Sequence, residues 1–181
     1  MNLRDVVLIG MTPLALTLGA LLGSFRNRMD RRTDLGLQPP TTRHAVGFTV
    51  VFLVLITIHE LLSWWLLPNA SGSDWRAKYD GAALVVRVVF AAVVYPVAEE
   101  LFFRGFLLAL FKRKAGLVAA VFLTAALFTA LHGLQGPWLG ALQIFSDGLF
   151  FAYARVRSGS LYLPMAFHII GNSMAVLQRV W

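Results

Sequence analysis

The stretch AAVVYPVAEELFFRGFLLALF, residues 91–111, places Glu99, Glu100 and Arg104 inside a run that is otherwise apolar. Twenty-one helical residues rise roughly 31 Å, the thickness of a bilayer's hydrocarbon core, so this run reads as a membrane-crossing helix. An ionised side chain at that depth costs about 3 kcal/mol or more, so such residues turn to the protein interior and mark function. A buried ion pair that only locks helices together accounts for Glu100 and Arg104, four residues apart on one helix face. It leaves Glu99 unexplained, and Glu99 is therefore the first candidate for chemistry.

Composition extends the same reading to the whole chain. Its 181 residues are 58% hydrophobic and 14% charged, with a mean hydropathy of +0.70. Soluble domains lie nearer ~45–50% apolar and ~25% charged. The excess comes in long blocks, as expected of an all-α, polytopic membrane helical bundle. A chain of this length makes one transmembrane domain over 1–181, with no room for a separate soluble domain. The net charge of +7 falls in short clusters between apolar blocks, the distribution of membrane-flanking loops rather than of a nucleic-acid surface. The absence of cysteine excludes disulfides, thiolate metal ligands and a cysteine nucleophile. Arginine outnumbers lysine thirteen to three, a compositional hint of a GC-rich prokaryotic gene; the expected location is the prokaryotic cell (inner) membrane.

Six apolar segments are expected, near 6–23, 45–67, 84–111, 115–134, 137–154 and 161–179. The first lacks a small-x-small cleavage site and is followed by Arg26, Arg28, Arg31 and Arg32, so it reads as a retained anchor. The third contains Pro96, which predicts either a kinked helix or an interfacial stretch around Arg87. Alternate connections divide the basic residues unequally. Loops 24–44, 112–114 and 155–160 hold ten, and the other side holds Arg4, Arg76, Lys78 and Arg179. By the positive-inside rule both termini face away from the cytoplasm.

The remaining polar residues sort by depth. His44 borders a loop. His59 with Glu60 begins HELLS, where a zincin helix would need a second histidine in place of Ser63, so the pair reads as structural. The basic turn at 112–116 makes the third and fourth segments an antiparallel hairpin. Glu99 and His132 then lie roughly 20 and 24 Å from that turn, the same level within error. The sixth segment starts on that side, and Asn172 lies about 18 Å deep with His168 one turn away on the same face. Three parts of the chain thus bring two carboxylates, two imidazoles and a carboxamide to a common depth. Asp147, beside Ser146, reads as a helix-packing hydrogen-bonder or as further lining of a water cavity.

With these residues in hand, the chain resembles the CPBP family of membrane proteases, the type II CAAX-prenyl-endopeptidase-like and bacteriocin-processing proteins. The family's EExxxR stands here as Glu99-Glu100-Leu-Phe-Phe-Arg104, continuing into FFRGFL. FxxxH stands as Phe128-Thr-Ala-Leu-His132, and HxxxN as His168-Ile-Ile-Gly-Asn172, approached through RSGSLYLPMAFH. The motifs cover about residues 95–175, within a core of about 84–179, and the first two segments carry none. Asp147 is not required by the pattern and leaves the subfamily open.

The resemblance implies an intramembrane endopeptidase acting on a membrane-associated protein or peptide. In that arrangement Glu99 is the general base and His132 helps to hold and polarise the water. His168 and Asn172 donate to the tetrahedral oxyanion, while Glu100 and Arg104 pair to hold the helix. This version requires no cofactor. A zinc version uses the same residues, with Glu99, His132 and His168 as ligands by type and Asn172 behind them, but the spacing matches no self-contained metal motif. A non-catalytic membrane scaffold or immunity factor would have no need of Glu99. A proton-coupled carrier should show matched, interrupted helices in two halves, which the sequence lacks. On the orientation above, the site lies in the outer half of the bilayer and suits the C-terminal membrane tail or sorting signal of an exported protein.

Overall fold

A computed structural model of the chain describes residues 3–67, 74–79, 81–132 and 138–181, with side chains from Ile9 onward. The described residues are helical and contain no strand. In chain order they form α1 (Leu3–Arg26), α2 (Thr42–Leu66), a single turn α3 (Trp75–Lys78), α4 (Gly81–Ala115), α5 (Leu117–His132), α6 (Trp138–Ser158) and α7 (Tyr162–Val180). The end of the fourth expected segment, 133–134, and the start of the fifth, at 137, lie outside the described residues.

Among the described residues three helices are long and apolar enough to cross a membrane, namely Ile9–Arg26 within α1, Thr42–Leu66, and Gly81–Ala115. Helix α5 is apolar but has 16 residues. Helices α6 and α7 have 21 and 19 residues, a spanning length, but their polar side chains lower their apolarity, and several of these turn inward. Arg155 and His168 are buried. The six expected segments are therefore all helices, and the three without a full apolar span pack together around the acids of α4. Helix α2 is the opposite case. Its span is 6% buried and it exposes Val50, Leu53, Val54, Ile58 and Leu61, an outward face suited to lipid.

Helix α4 runs on past Pro96 rather than breaking there. Two π-helical stretches, Phe90–Val94 and Leu101–Leu107, flank a short α-helical piece, Tyr95–Glu100. The wider pitch is visible in the Tyr95 N–H, which donates to Phe90 O, and the Leu108 N–H, which donates to Phe103 O. Proline has no N–H to give, and the helix stays continuous through a π turn just before it. π turns inside α-helices concentrate at functional sites. Here they frame Ala98, Glu99 and Glu100, all buried, with Phe103, Arg104, Gly105 and Phe106 buried in the next turn.

The three basic loops meet at one end of the bundle, as the alternating charge count requires. Arg113 donates to Asp34 Oδ2 at 2.6 Å and to Asn27 O at 3.0 Å. Arg155 donates to Asp34 O at 2.8 Å and Thr33 O at 3.2 Å. Leu161 N–H donates to Gly36 O at 2.7 Å. Gly36 has φ +72°, and a Cβ there would overlap the Arg155 guanidinium, so this tether needs glycine for both conformation and space. Near the middle of the bundle a Cβ on Gly148 would meet Ala125 Cα at 3.1 Å. Helices α5 and α6 thus approach closely through small residues. On the other side of α6, Phe52, Phe150, Phe151, Leu163 and Phe167 form an aromatic and aliphatic core, with Phe52 stacked on Phe167 at 4.8 Å.

Candidate active site

Glu99 projects from α4 between two imidazoles. Its Oε1 lies 3.2 Å from His132 Nε2, at the end of α5, and its Oε2 lies 3.6 Å from His168 Nε2, on α7. The carboxylate is 7% exposed. The hairpin geometry explains the first contact: Gly116 turns the chain with φ +83°, and equal helical rises on both arms bring residues 99 and 132 level. The second contact depends on how α7 is rotated against α4, which depth alone does not specify.

The far nitrogens of both rings are already engaged. His132 Nδ1 lies 2.8 Å from Phe128 O, and a carbonyl only accepts, so Nδ1 carries the hydrogen. His168 Nδ1 lies 2.9 Å from Glu100 Oε1. Each ring is thereby oriented with Nε2 towards Glu99. Phe128 also packs on both rings, with centroids 4.4 Å from His132 and 5.6 Å from His168.

Glu100 and Arg104 are both fully buried. Arg104 donates to Glu100 Oε1 at 2.8 Å, the pairing expected from their spacing, and its guanidinium lies 4.3 Å from the Phe128 ring centroid. It also reaches Gly148 O at 3.4 Å. Sequence spacing did not reveal that the same Glu100 oxygen receives His168. Asn172 takes a different position from the other candidates: its side-chain N–H donates to Ala91 O at 2.9 Å, a carbonyl in the first π stretch of α4. Its amide has a second hydrogen, and the residue lines the same cavity as Glu99, His132 and His168.

That cavity has a volume of about 750 Å³, and it has a second polar wall. His59 on α2 lies 2.9 Å from Ser146 Oγ and 3.6 Å from Asp147 Oδ1. Gln143 donates to His59 O and to Ser63 Oγ, each at 3.0 Å. His59 thus packs against α6, as a structural reading expects, and it also lines the cavity that holds Glu99. Asp147 lies at ion-pair distance from His59 and lines the cavity. The signal for this wall was present in the sequence as isolated polar residues in apolar helices, without a spacing that joined them. Arg87 and Tyr95 of α4 also line the cavity, and Tyr95 donates to Ile9 O at 2.9 Å, tying α4 to α1.

Among the described residues no group of three His, Asp or Glu side chains is arranged to hold an ion. The two Nε2 atoms lie 3.2 and 3.6 Å from different oxygens of Glu99, and each ring is held from behind through Nδ1.

A search of family models matches residues 81–174 to the Rce1-like family, described as type II CAAX prenyl endopeptidase Rce1-like. The match takes in more than half of the chain and all three motifs. The chain belongs to this family. Among curated proteins it is similar to an uncharacterized 24.3 kDa protein of Escherichia coli, 28% identical over 52% of this chain and 44% of that protein. It is also similar to the uncharacterized protein YyaK of Bacillus subtilis, 27% identical over 72% of this chain and 45% of that protein. The aligned region spans less than half the length of either relative. No solved structure matches.

Proposed function

We propose that this Rce1-like chain is an intramembrane endopeptidase that hydrolyses a peptide bond of a membrane-embedded substrate with a water activated by Glu99. The observation that carries the reading is Glu99 held between two Nε2 atoms whose rings are fixed from behind. A carboxylate with one oxygen on His132 and the other near His168 can take a proton from water and pass it to the leaving amine. His132, oriented by Phe128 O, holds that water. His168 and the second amide hydrogen of Asn172 face the position of a developing oxyanion, where a donor is worth ~3 kcal/mol. With its Nδ1–H given to Glu100, His168 donates there only through a proton on Nε2. His59, Gln143 and Asp147 line the same cavity and offer hydrogen bonds to an extended substrate backbone. Such bonds matter where the substrate must unwind from a helix within lipid.

The metal-free version is the one proposed, because the spacing of Glu99, His132 and His168 in the sequence matches no self-contained metal motif. The charge distribution, with the basic loops at one end of the bundle, supports an orientation in which the site lies in the outer half of the inner membrane of a prokaryotic cell. A translocated segment, such as a C-terminal membrane tail or sorting signal, fits that depth. The deciding experiment compares the membrane proteomes of cells carrying the wild-type chain and Glu99→Gln. Accumulation of an uncut precursor in the variant supports the reading, and identical proteomes would leave a scaffold, immunity or carrier role in its place.

A further inference from the structure

A second cavity lies at the opposite end of the bundle from the Glu99 site, where the loop after α1 meets the ends of α4 and α6. It encloses about 240 Å³. Lys112, Arg113 and Arg155 supply three positive charges on its wall, and the single acid there is Asp34. That acid is already spent on Arg113, at 2.6 Å. Arg155 is 7% exposed and its NH2 is held by the carbonyls of Thr33 and Asp34, while its Nε has no hydrogen-bond partner. Lys112 forms no ion pair among the described residues. The rest of the wall is apolar: Leu108, Ala109 and Val156.

The cavity is therefore basic at one edge and apolar at the other, with an excess of about two positive charges. We infer that it is a binding site for the phosphate of an anionic phospholipid, which would seat its headgroup against Lys112 and Arg155 and its glycerol and first acyl carbons against Leu108, Ala109 and Val156. Free phosphate satisfies the charge but gains nothing from the apolar edge, which is why a lipid is the better match. The charge count assigns this end to the cytoplasmic face, where the leaflet is rich in anionic lipid and basic pockets between helices collect headgroups. The lipid would join the loop after α1 to α4 and α6, and the inference is independent of the proteolytic reading.

The test uses the full chain in a neutral detergent and follows its unfolding midpoint by tryptophan fluorescence. Phosphatidylglycerol, phosphatidylcholine with the same acyl chains, and inorganic phosphate are titrated separately. Phosphatidylglycerol is expected to raise the midpoint by about 3 °C near ten times its Kd, by ligand linkage, with no shift from the other two. Lys112→Gln should remove at least half of the shift while leaving the lipid-free midpoint unchanged. Arg157→Gln, an exposed basic residue outside the cavity, should retain the full shift. Equal effects of the two lipids, a full shift in Lys112→Gln, or an equal loss in Arg157→Gln would overturn the site. A full shift with millimolar inorganic phosphate would replace the lipid by a small anion. Native mass spectrometry of the wild-type chain gives a variant-free check: one retained phosphatidylglycerol per chain is expected, and none would overturn the inference.

Discussion

His168 Nδ1 lies 2.9 Å from Oε1 of Glu100, so the second glutamate of the pair orients the histidine that faces the first. The same oxygen accepts from Arg104 at 2.8 Å. One buried carboxylate thus links the α4 ion pair to the α7 imidazole, and through that ring to Glu99 at 3.6 Å. The pair that looks structural in the sequence also supports the reacting groups.

Replacing Glu99 by Gln keeps the size of the side chain and removes its basicity. The expected result is a loss of cleavage of 10²-fold or more, the usual scale of a positioned general base, with the unfolding midpoint little changed. Turnover of a precursor identified in the variant's membranes, assayed with purified wild type and variant, measures it. A rate within tenfold of wild type would remove Glu99 from the chemistry.

Breaking the buried pair should act on stability. Arg104→Met leaves Glu100 charged, fully buried and without its cation, a change expected to cost 3–5 kcal/mol. The double variant Arg104→Met, Glu100→Leu should recover much of that stability without recovering cleavage, because His168 has lost its Nδ1 partner. Unfolding in detergent and a cleavage assay on the same preparations separate the two effects.

Gly36 gives a prediction remote from the site. With φ +72° and the Arg155 guanidinium against its Cα, Gly36→Ala should cost about 1–2 kcal/mol in backbone strain and displace Arg155 further. The midpoint should fall, and cleavage per folded molecule should stay near wild type. An unchanged midpoint would mean that the tether of the 27–38 loop contributes little.

Metal dependence has a direct measurement. On the glutamate reading, dialysis against a strong chelator leaves cleavage unchanged. Loss of activity that added zinc restores would favour the metal version with Glu99, His132 and His168 as ligands.

The second cavity wall predicts a split in kinetic constants. His59→Phe keeps an aromatic ring against α6 but removes its bonds to Ser146 and Asp147. If this wall holds substrate backbone, KM should rise several-fold with kcat changed less. A fall in kcat alone would place His59 among the reacting groups instead.

Much of this molecule follows from one-dimensional information. Apolar blocks of spanning length, an ionised cluster within one of them and a basic turn at 112–116 are enough to specify a helical membrane protein. Because helical rise is constant, counting residues from a turn also brings Glu99 and His132 level, and the i, i+4 relation pairs Glu100 with Arg104. Rotation of one helix about its axis relative to a distant helix has no such counterpart in spacing. The contact of His168 with both glutamates, the engagement of Asn172 with Ala91 O, and the His59, Ser146 and Asp147 wall each depend on that rotation. The π stretches of α4 on either side of Tyr95–Glu100 likewise have no counterpart in the spacing of the sequence. Packing among α2, α4, α6 and α7 sets those angles, and packing is a property of all the side chains together.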